Sequence, residues 1–132
     1  MNTVSKITTA ILVILISLSS CNKDKDKVEM GISDEYYVKY VIKGNGTYIY
    51  FSDFSVNTDQ GNVSFSGYQY KSWNQTYGPV KKGFRASVSV ESSLVTVEIY
   101  VSKNNGPFAL KASKSGGNSS TSNISQSYTI DF

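Results

Sequence analysis

The chain has 132 residues and a formal net charge of +3, from 13 Lys and Arg against 10 Asp and Glu. Because this excess is small and not clustered, the sequence excludes a dedicated nucleic-acid-binding domain. Histidine is absent and cysteine occurs once. These two facts exclude Ser-His and Cys-His catalysis, most zinc sites and an internal disulfide.

Residues 1–20 are predicted to be a lipoprotein signal peptide. The apolar run 7–18 follows Lys6 and is shorter than the roughly 20 residues that span a bilayer. Leu18-Ser19-Ser20-Cys21 then resembles the lipobox of bacterial lipoproteins, which is an aliphatic residue, two small residues and a cysteine. The resemblance implies cleavage before Cys21 and acyl chains, such as palmitate, on Cys21. Two or more such chains anchor a protein stably, at about 0.8 kcal/mol per buried CH₂.

Residues 21–35 are predicted to be a charged tether, because Lys and Asp alternate from Lys23 to Lys27 and few large apolar side chains follow. Charged residues directly after a lipidated cysteine resemble the surface-export signals of Bacteroidetes lipoproteins. A plain periplasmic spacer is the alternative. The predicted location is the cell envelope, with the chain anchored to the outer membrane and the domain on its periplasmic or its surface face.

Residues 36–132 are predicted to be one all-β domain, and its first strand alternates with a period of two. Over residues 36–43 the even positions are apolar and face inward. Asn45-Gly46 predicts a two-residue hairpin turn, which pairs Ile42 with Ile49 and Tyr40 with Phe51. The same register turns Tyr48 and Tyr50 outward.

Six further segments read as strands separated by Gly- and Asn-containing turns. They are residues 63–70, 73–77, 84–90, 95–101, 108–112 and 128–132. We expect a bulge near Ser72 and a long polar loop over residues 114–126. This pattern predicts an antiparallel immunoglobulin-like β-sandwich of seven to eight strands without the usual disulfide. A small closed barrel is the alternative fold.

Four features are similar to small Ig-like lipoprotein domains of Bacteroidetes and to the mycobacterial membrane-protein-small type. They are segments 73–77 (WNQTY), 80–84 (VKKGF) and 95–101, and the Asn105-Gly106 turn. The resemblance covers residues 36–132 and implies an Ig-like sandwich without a catalytic role. It also implies an accessory function beside envelope transport proteins. No site residue of that family matches this sequence.

The acidic residues show no spacing that selects a catalytic pair, so we expect no enzyme activity, no catalytic residue, no cofactor and no metal site. Ten Tyr, six Phe and one Trp mostly suit a β-sandwich core, and Trp73 is expected there.

Periodicity sends Tyr48, Tyr50 and Tyr100 outward, where a ring can stack on a sugar or pack on a protein. Ordinary cross-strand pairing is the alternative explanation for these rings. The function predicted from the sequence is a lipid-anchored, non-enzymatic binding or accessory module for an envelope protein partner. A surface glycan-binding module is the alternative.

Overall fold

The computed structural model describes residues 31–47, 50–117 and 123–132, and its regular elements are strands. They are β1 (Tyr36–Gly44), β2 (Tyr50–Phe51), β3 (Phe54–Thr58), β4 (Gly61–Phe65), β5 (Gln69–Tyr70), β6 (Ser72–Val80), β7 (Arg85–Val90), β8 (Val95–Lys103), β9 (Ala109–Ser115) and β10 (Ile124–Thr129). The described part contains no helix with the length and hydrophobicity to cross a membrane. The predictions for the signal peptide, Cys21 and Tyr48 lie outside the described residues.

Eight of these strands form two four-stranded sheets, ordered β6-β1-β8-β9 and β10-β7-β3-β4. Every neighbouring pair is antiparallel. Buried side chains from both sheets form one hydrophobic cluster, so the sheets pack face to face. The predicted all-β fold, an antiparallel β-sandwich, is therefore confirmed. Strands β2 and β5 pair separately as a two-stranded ribbon.

The alternation predicted for the first strand is confirmed, because its even-numbered residues from Tyr36 to Ile42 are buried. Tyr40 is fully buried, and burial raises the pKa of its phenol. Its hydroxyl donates to the Asn57 carbonyl at 2.5 Å and accepts from the Ser87 backbone N–H at 3.3 Å. One core tyrosine thereby joins the first sheet to two strands of the second without leaving its hydroxyl unpaired.

The predicted Asn45-Gly46 hairpin is wrong. Strand β1 pairs along both edges, with Tyr40 opposite Gln75 of β6 and Ile99 of β8, so it has no free edge for β2. Instead Asn45 binds the neighbouring segment. Its backbone N–H donates to the Leu94 carbonyl at 2.8 Å, and its Oδ1 accepts from Thr96 Oγ1 at 2.7 Å. The turn is therefore bonded to the start of β8, and the next strand, β2, pairs with β5 instead of β1.

Three other features differ from the prediction. The predicted strand 63–70 is two strands, β4 and β5, with an irregular segment at residues 66–68. The bulge lies at the far end of β6 instead of near Ser72, because the β1–β6 register shifts between Tyr36 and Val38. Gly78 fits there since a Cβ would lie 2.8 Å from the Tyr36 carbonyl oxygen. The polar loop is also shorter than predicted, since β9 continues to Ser115 and β10 begins at Ile124.

Candidate functional site

The hairpin β3–β4 continues into the ribbon β2–β5 through a kink. Between the last pair of the hairpin and the first pair of the ribbon, residues 52–53 oppose residues 66–68. Asp53 and Gly67 have φ angles of 51° and 95°, which bend the two chains. An extra residue on one side is the geometry of a β-bulge, which re-aims the side chains that follow it.

On the sandwich side of the kink lies an inner aromatic cluster of Phe54, Phe65 and Trp73. The Phe54 and Phe65 rings stack with centroids 4.8 Å apart and planes 12° apart. The Trp73 ring lies 4.8 Å from Phe54 and 5.1 Å from Phe65. Trp73 and Phe65 pack against the hydrophobic core, so the sequence placed Trp73 correctly.

On the other side of the kink the ribbon carries the exposed rings of Tyr50 and Tyr70, and Tyr68 at the end of the kink is exposed as well. These three residues form the tyrosine group. Their exposed fractions are 59%, 82% and 53%. Tyr50 and Tyr70 are opposite each other in the ribbon, with ring centroids 5.2 Å apart and planes 50° apart. The ammonium group of Lys71 lies 5.2 Å from the Tyr70 ring centroid. The outward orientation predicted for Tyr50 is confirmed, although its strand partner is β5.

A shallow cleft of about 350 Å³ borders the same kink. Six polar side chains line it: Asp53, Ser55, Ser64, Ser66, Ser89 and Glu91. Asn123 completes the polar lining, and Phe54 and Phe65 are the two apolar residues at its wall.

Three of these serines align across neighbouring strands, since Ser55 is opposite Ser64 on β4 and opposite Ser89 on β7. Adjacent strands lie about 4.8 Å apart, so the three serines form a short row on the outer face of the second sheet.

Tyr100 lies on a different surface, the outer face of the first sheet. It is partly exposed, and the Lys39 ammonium group lies 5.0 Å from its ring centroid and 5.0 Å from that of Phe108. Leu110 is opposite Tyr100 on β9 and is exposed. The structure therefore does not bring Tyr100 together with Tyr50, as a single binding surface would require.

The hydroxyl of Tyr100 is also engaged, since it donates to Glu98 at 2.8 Å. Lys43 Nζ lies 3.1 and 3.0 Å from the two carboxylate oxygens of Glu98. Partial burial opposes ionisation of Glu98, but the hydrogen bonds from Lys43 and Tyr100 outweigh it and lower the pKa of Glu98 below 4.5. These contacts give Tyr100 a structural role on the sheet surface.

Comparison with known proteins gives no relative. No protein-family model, no curated protein and no solved structure matches this chain. Within the described ranges, no three His, Cys, Asp or Glu side chains are grouped so as to hold a metal ion. The features of this chain that bear on function are therefore the tyrosine group and the cleft.

Sequence reasoning missed Tyr68, Tyr70 and the cleft. A visible signal existed for the tyrosines, because Tyr68-Gln69-Tyr70 places two rings two residues apart after a glycine. No local signal marks the cleft. Its serines alternate with apolar residues on separate strands, and only the strand order brings Ser64, Ser55 and Ser89 into one row.

Proposed function

We propose that the chain is a non-enzymatic, glycan-binding module, held to a membrane of the cell envelope through lipid on Cys21. One observation carries the proposal: the ribbon holds the large rings of Tyr50 and Tyr70 side by side and more than half exposed. A tyrosine ring offers an apolar face to the C–H groups of a sugar and keeps a hydroxyl for hydrogen bonding. Such rings lose little rotamer freedom on binding, which favours them as contact residues.

The position of the tyrosine group supports this proposal. The chain enters the sandwich at Tyr36, and β1 then runs nine residues to Gly44. The Gly44 backbone N–H donates to the carbonyl of Lys71 at 2.9 Å, beside Tyr70. At about 3.4 Å per residue, the tyrosine group lies roughly 30 Å along the strand direction from the start of β1. A lipid-tethered domain would present this end to a ligand.

The resemblance of Leu18-Ser19-Ser20-Cys21 to a lipobox supports the anchor. Cells supplied with labelled palmitate should label the wild-type chain. The variant Cys21→Ala should remain an unlabelled and uncleaved precursor. Equal labelling of both chains would overturn the lipoprotein part of the proposal.

A protein partner remains a second candidate, because of the patch on the first sheet. Phe108 and Leu110 are exposed there beside Tyr100, and Lys39 lies over two rings. Aromatic side chains are enriched in protein interfaces, whereas Lys is depleted there. The Tyr100 hydroxyl already donates its hydrogen bond to Glu98. This surface therefore supports the protein-partner proposal less strongly than the ribbon supports glycan binding.

Two matched double variants separate the candidates in the full-length, detergent-solubilised chain. Tyr50→Ala with Tyr70→Ala removes the ribbon pair, and Tyr100→Ala with Leu110→Ala removes the pair on the first sheet. Each is applied to a glycan array and to a pull-down from envelope extract, with the melting temperature as a folding check.

Glycan signal lost only in the ribbon variant supports the proposal. A protein captured by the wild type and lost only in the Tyr100 variant would favour the protein partner. Binding of no glycan by the wild type would contradict glycan binding.

A further inference from the structure

We infer that the cleft at the kink holds one unit of the bound glycan and selects a neutral sugar over an acidic one. The inference rests on the proposed glycan binding and names the ligand class of that same region. The cleft volume of about 350 Å³ lies within the range of small-molecule sites, about 300–1,000 Å³. A cleft of this size suits a single sugar unit.

The cleft offers the hydrogen-bonding groups that a sugar needs. The hydroxyls of Ser55, Ser64 and Ser89 form a row across three strands, and among the described residues none of them has a side-chain hydrogen bond. Each hydroxyl can donate and accept, as sugar hydroxyls do. The amide of Asn123, which also lines the cleft, adds two donors and one acceptor.

The charge of the cleft decides between neutral and acidic sugars. Its charged side chains are Asp53 and Glu91, and no Lys or Arg lines it. Ionised carboxylates only accept hydrogen bonds, so they suit sugar hydroxyls and repel the carboxylate or sulfate of an acidic glycan.

The two acidic residues are held in place by the fold. The Glu91 backbone N–H donates to the Asp53 carbonyl at 3.0 Å, and Ser52 Oγ donates to the Asp53 carboxylate at 2.7 Å.

The cleft and the tyrosine group belong to one continuous surface segment. Ser66 lines the cleft, Gly67 follows it at the kink, and Tyr68 is the next residue. On the segment paired with it, Asp53 of the cleft is three residues after Tyr50. A glycan that stacks on the rings can therefore extend into the cleft through its neighbouring unit.

The test uses full-length chain in detergent against neutral and acidic oligosaccharides on one array. The neutral probes are gluco-, xylo- and manno-oligosaccharides, and the acidic probes are oligogalacturonate and chondroitin sulfate. The first variant is Asp53→Asn with Glu91→Gln, which removes both charges. Asn tolerates positive φ, so the backbone at the kink is retained. The second variant is Ser89→Ala, with Ser87→Ala as its control two residues earlier on the same face of β7 but outside the cleft lining.

We expect the wild type to bind at least one neutral probe and no acidic one. The double variant should lose about tenfold in affinity, because hydrogen bonds to charged groups are stronger than neutral ones. Ser89→Ala should weaken binding while Ser87→Ala leaves it unchanged.

Preference for an acidic probe would overturn the inference. So would neutral binding that survives the cleft variants but is lost with Tyr50→Ala and Tyr70→Ala, and in that case the proposed glycan binding would stand. Absence of all glycan binding would contradict both this inference and the proposed glycan binding.

Discussion

Phe54 and Phe65 of the inner aromatic cluster lie on the same two chain segments as the tyrosine group, on the other side of the kink, yet the cluster is packed and the tyrosine group is exposed. Phe54, Phe65 and Trp73 have rings within about 5 Å of one another and contact the core. A few residues away, Tyr50 and Tyr70 pair in the solvent-exposed ribbon. The difference lies in the kink between them, since a straight hairpin would have continued the alternation of inward and outward faces. Aromatic content alone therefore does not distinguish core from binding surface in this fold.

The largest effect should come from the inner cluster. Phe54→Ala removes a ring that contacts Phe65, Trp73 and Phe51. We expect the free energy of unfolding to fall by about 3–5 kcal/mol, because a buried aromatic is lost and a cavity remains. Urea unfolding followed by circular dichroism measures this. A loss below about 1 kcal/mol would show that the inner cluster does not belong to the cooperative core.

The next effect should come from the kink itself. Gly67→Ala adds a side chain where φ is 95°, although no atom lies within 4 Å of the new Cβ. We expect a loss of about 1–2 kcal/mol from backbone strain alone. The variant should also weaken glycan binding, since it re-aims the ribbon without touching a ring. Gly117→Ala is the control, because its Cβ also meets nothing and no positive φ is involved. An equal free energy of unfolding for the two variants would contradict a cost from backbone strain at residue 67.

A smaller effect on stability is expected from the tyrosine group. Tyr50→Ala with Tyr70→Ala removes one cross-strand aromatic pair on an exposed ribbon. Such pairs contribute about 0.2–1 kcal/mol, so the melting temperature should change little while glycan binding is lost. A fall comparable to that of Phe54→Ala would mean that the two aromatic groups form one core and that the ribbon is not a binding surface.

The smallest effect should come from Glu98, whose carboxylate accepts a hydrogen bond from the Tyr100 hydroxyl. Because the pKa of Glu98 is lower in the folded state than its ordinary 4.5, its contacts stabilise the fold above that value. The stabilisation is lost as pH falls through the folded pKa. Glu98→Gln should therefore cost about 0.5 kcal/mol at neutral pH and nothing below the folded pKa. Urea unfolding of the wild type and the variant, at neutral pH and at a pH below the folded pKa, measures this cost. An equal cost at the two pH values would exclude the ionised Glu98 as its source.

The sequence predicts the faces of the central strands but not their partners. In the predicted strand 95–101, the alternate residues Val97 and Ile99 are buried, because an interior strand with one solvated face displays its orientation in every second residue. The hairpin predicted from Asn45-Gly46 was wrong, because a turn dipeptide indicates only a local reversal of the chain. It carries no information on the strands β6 and β8, which occupy both edges of β1.

The candidate site was predictable only in part for a similar reason. Tyr50 was identified because it alternates with its neighbour Phe51, which is buried, even though the partner inferred for its strand was wrong. Its pairing with Tyr70 depends on the kink and on a contact between segments about 20 residues apart. The cleft depends on three strands in a non-sequential order. Such sites arise from topology, which local patterns do not encode.

The interior position of β1 has a mechanical consequence. Tension between an anchored tether and a ligand held at the ribbon would pull on Tyr36 along the length of this strand. Its backbone hydrogen bonds to β6 and β8 run perpendicular to that direction on both edges. The load is then shared by both rows of bonds in shear, whereas an edge strand pulled sideways would unzip one bond at a time. Under that proposed loading, β1 would be held along both of its edges, which an edge strand would not be.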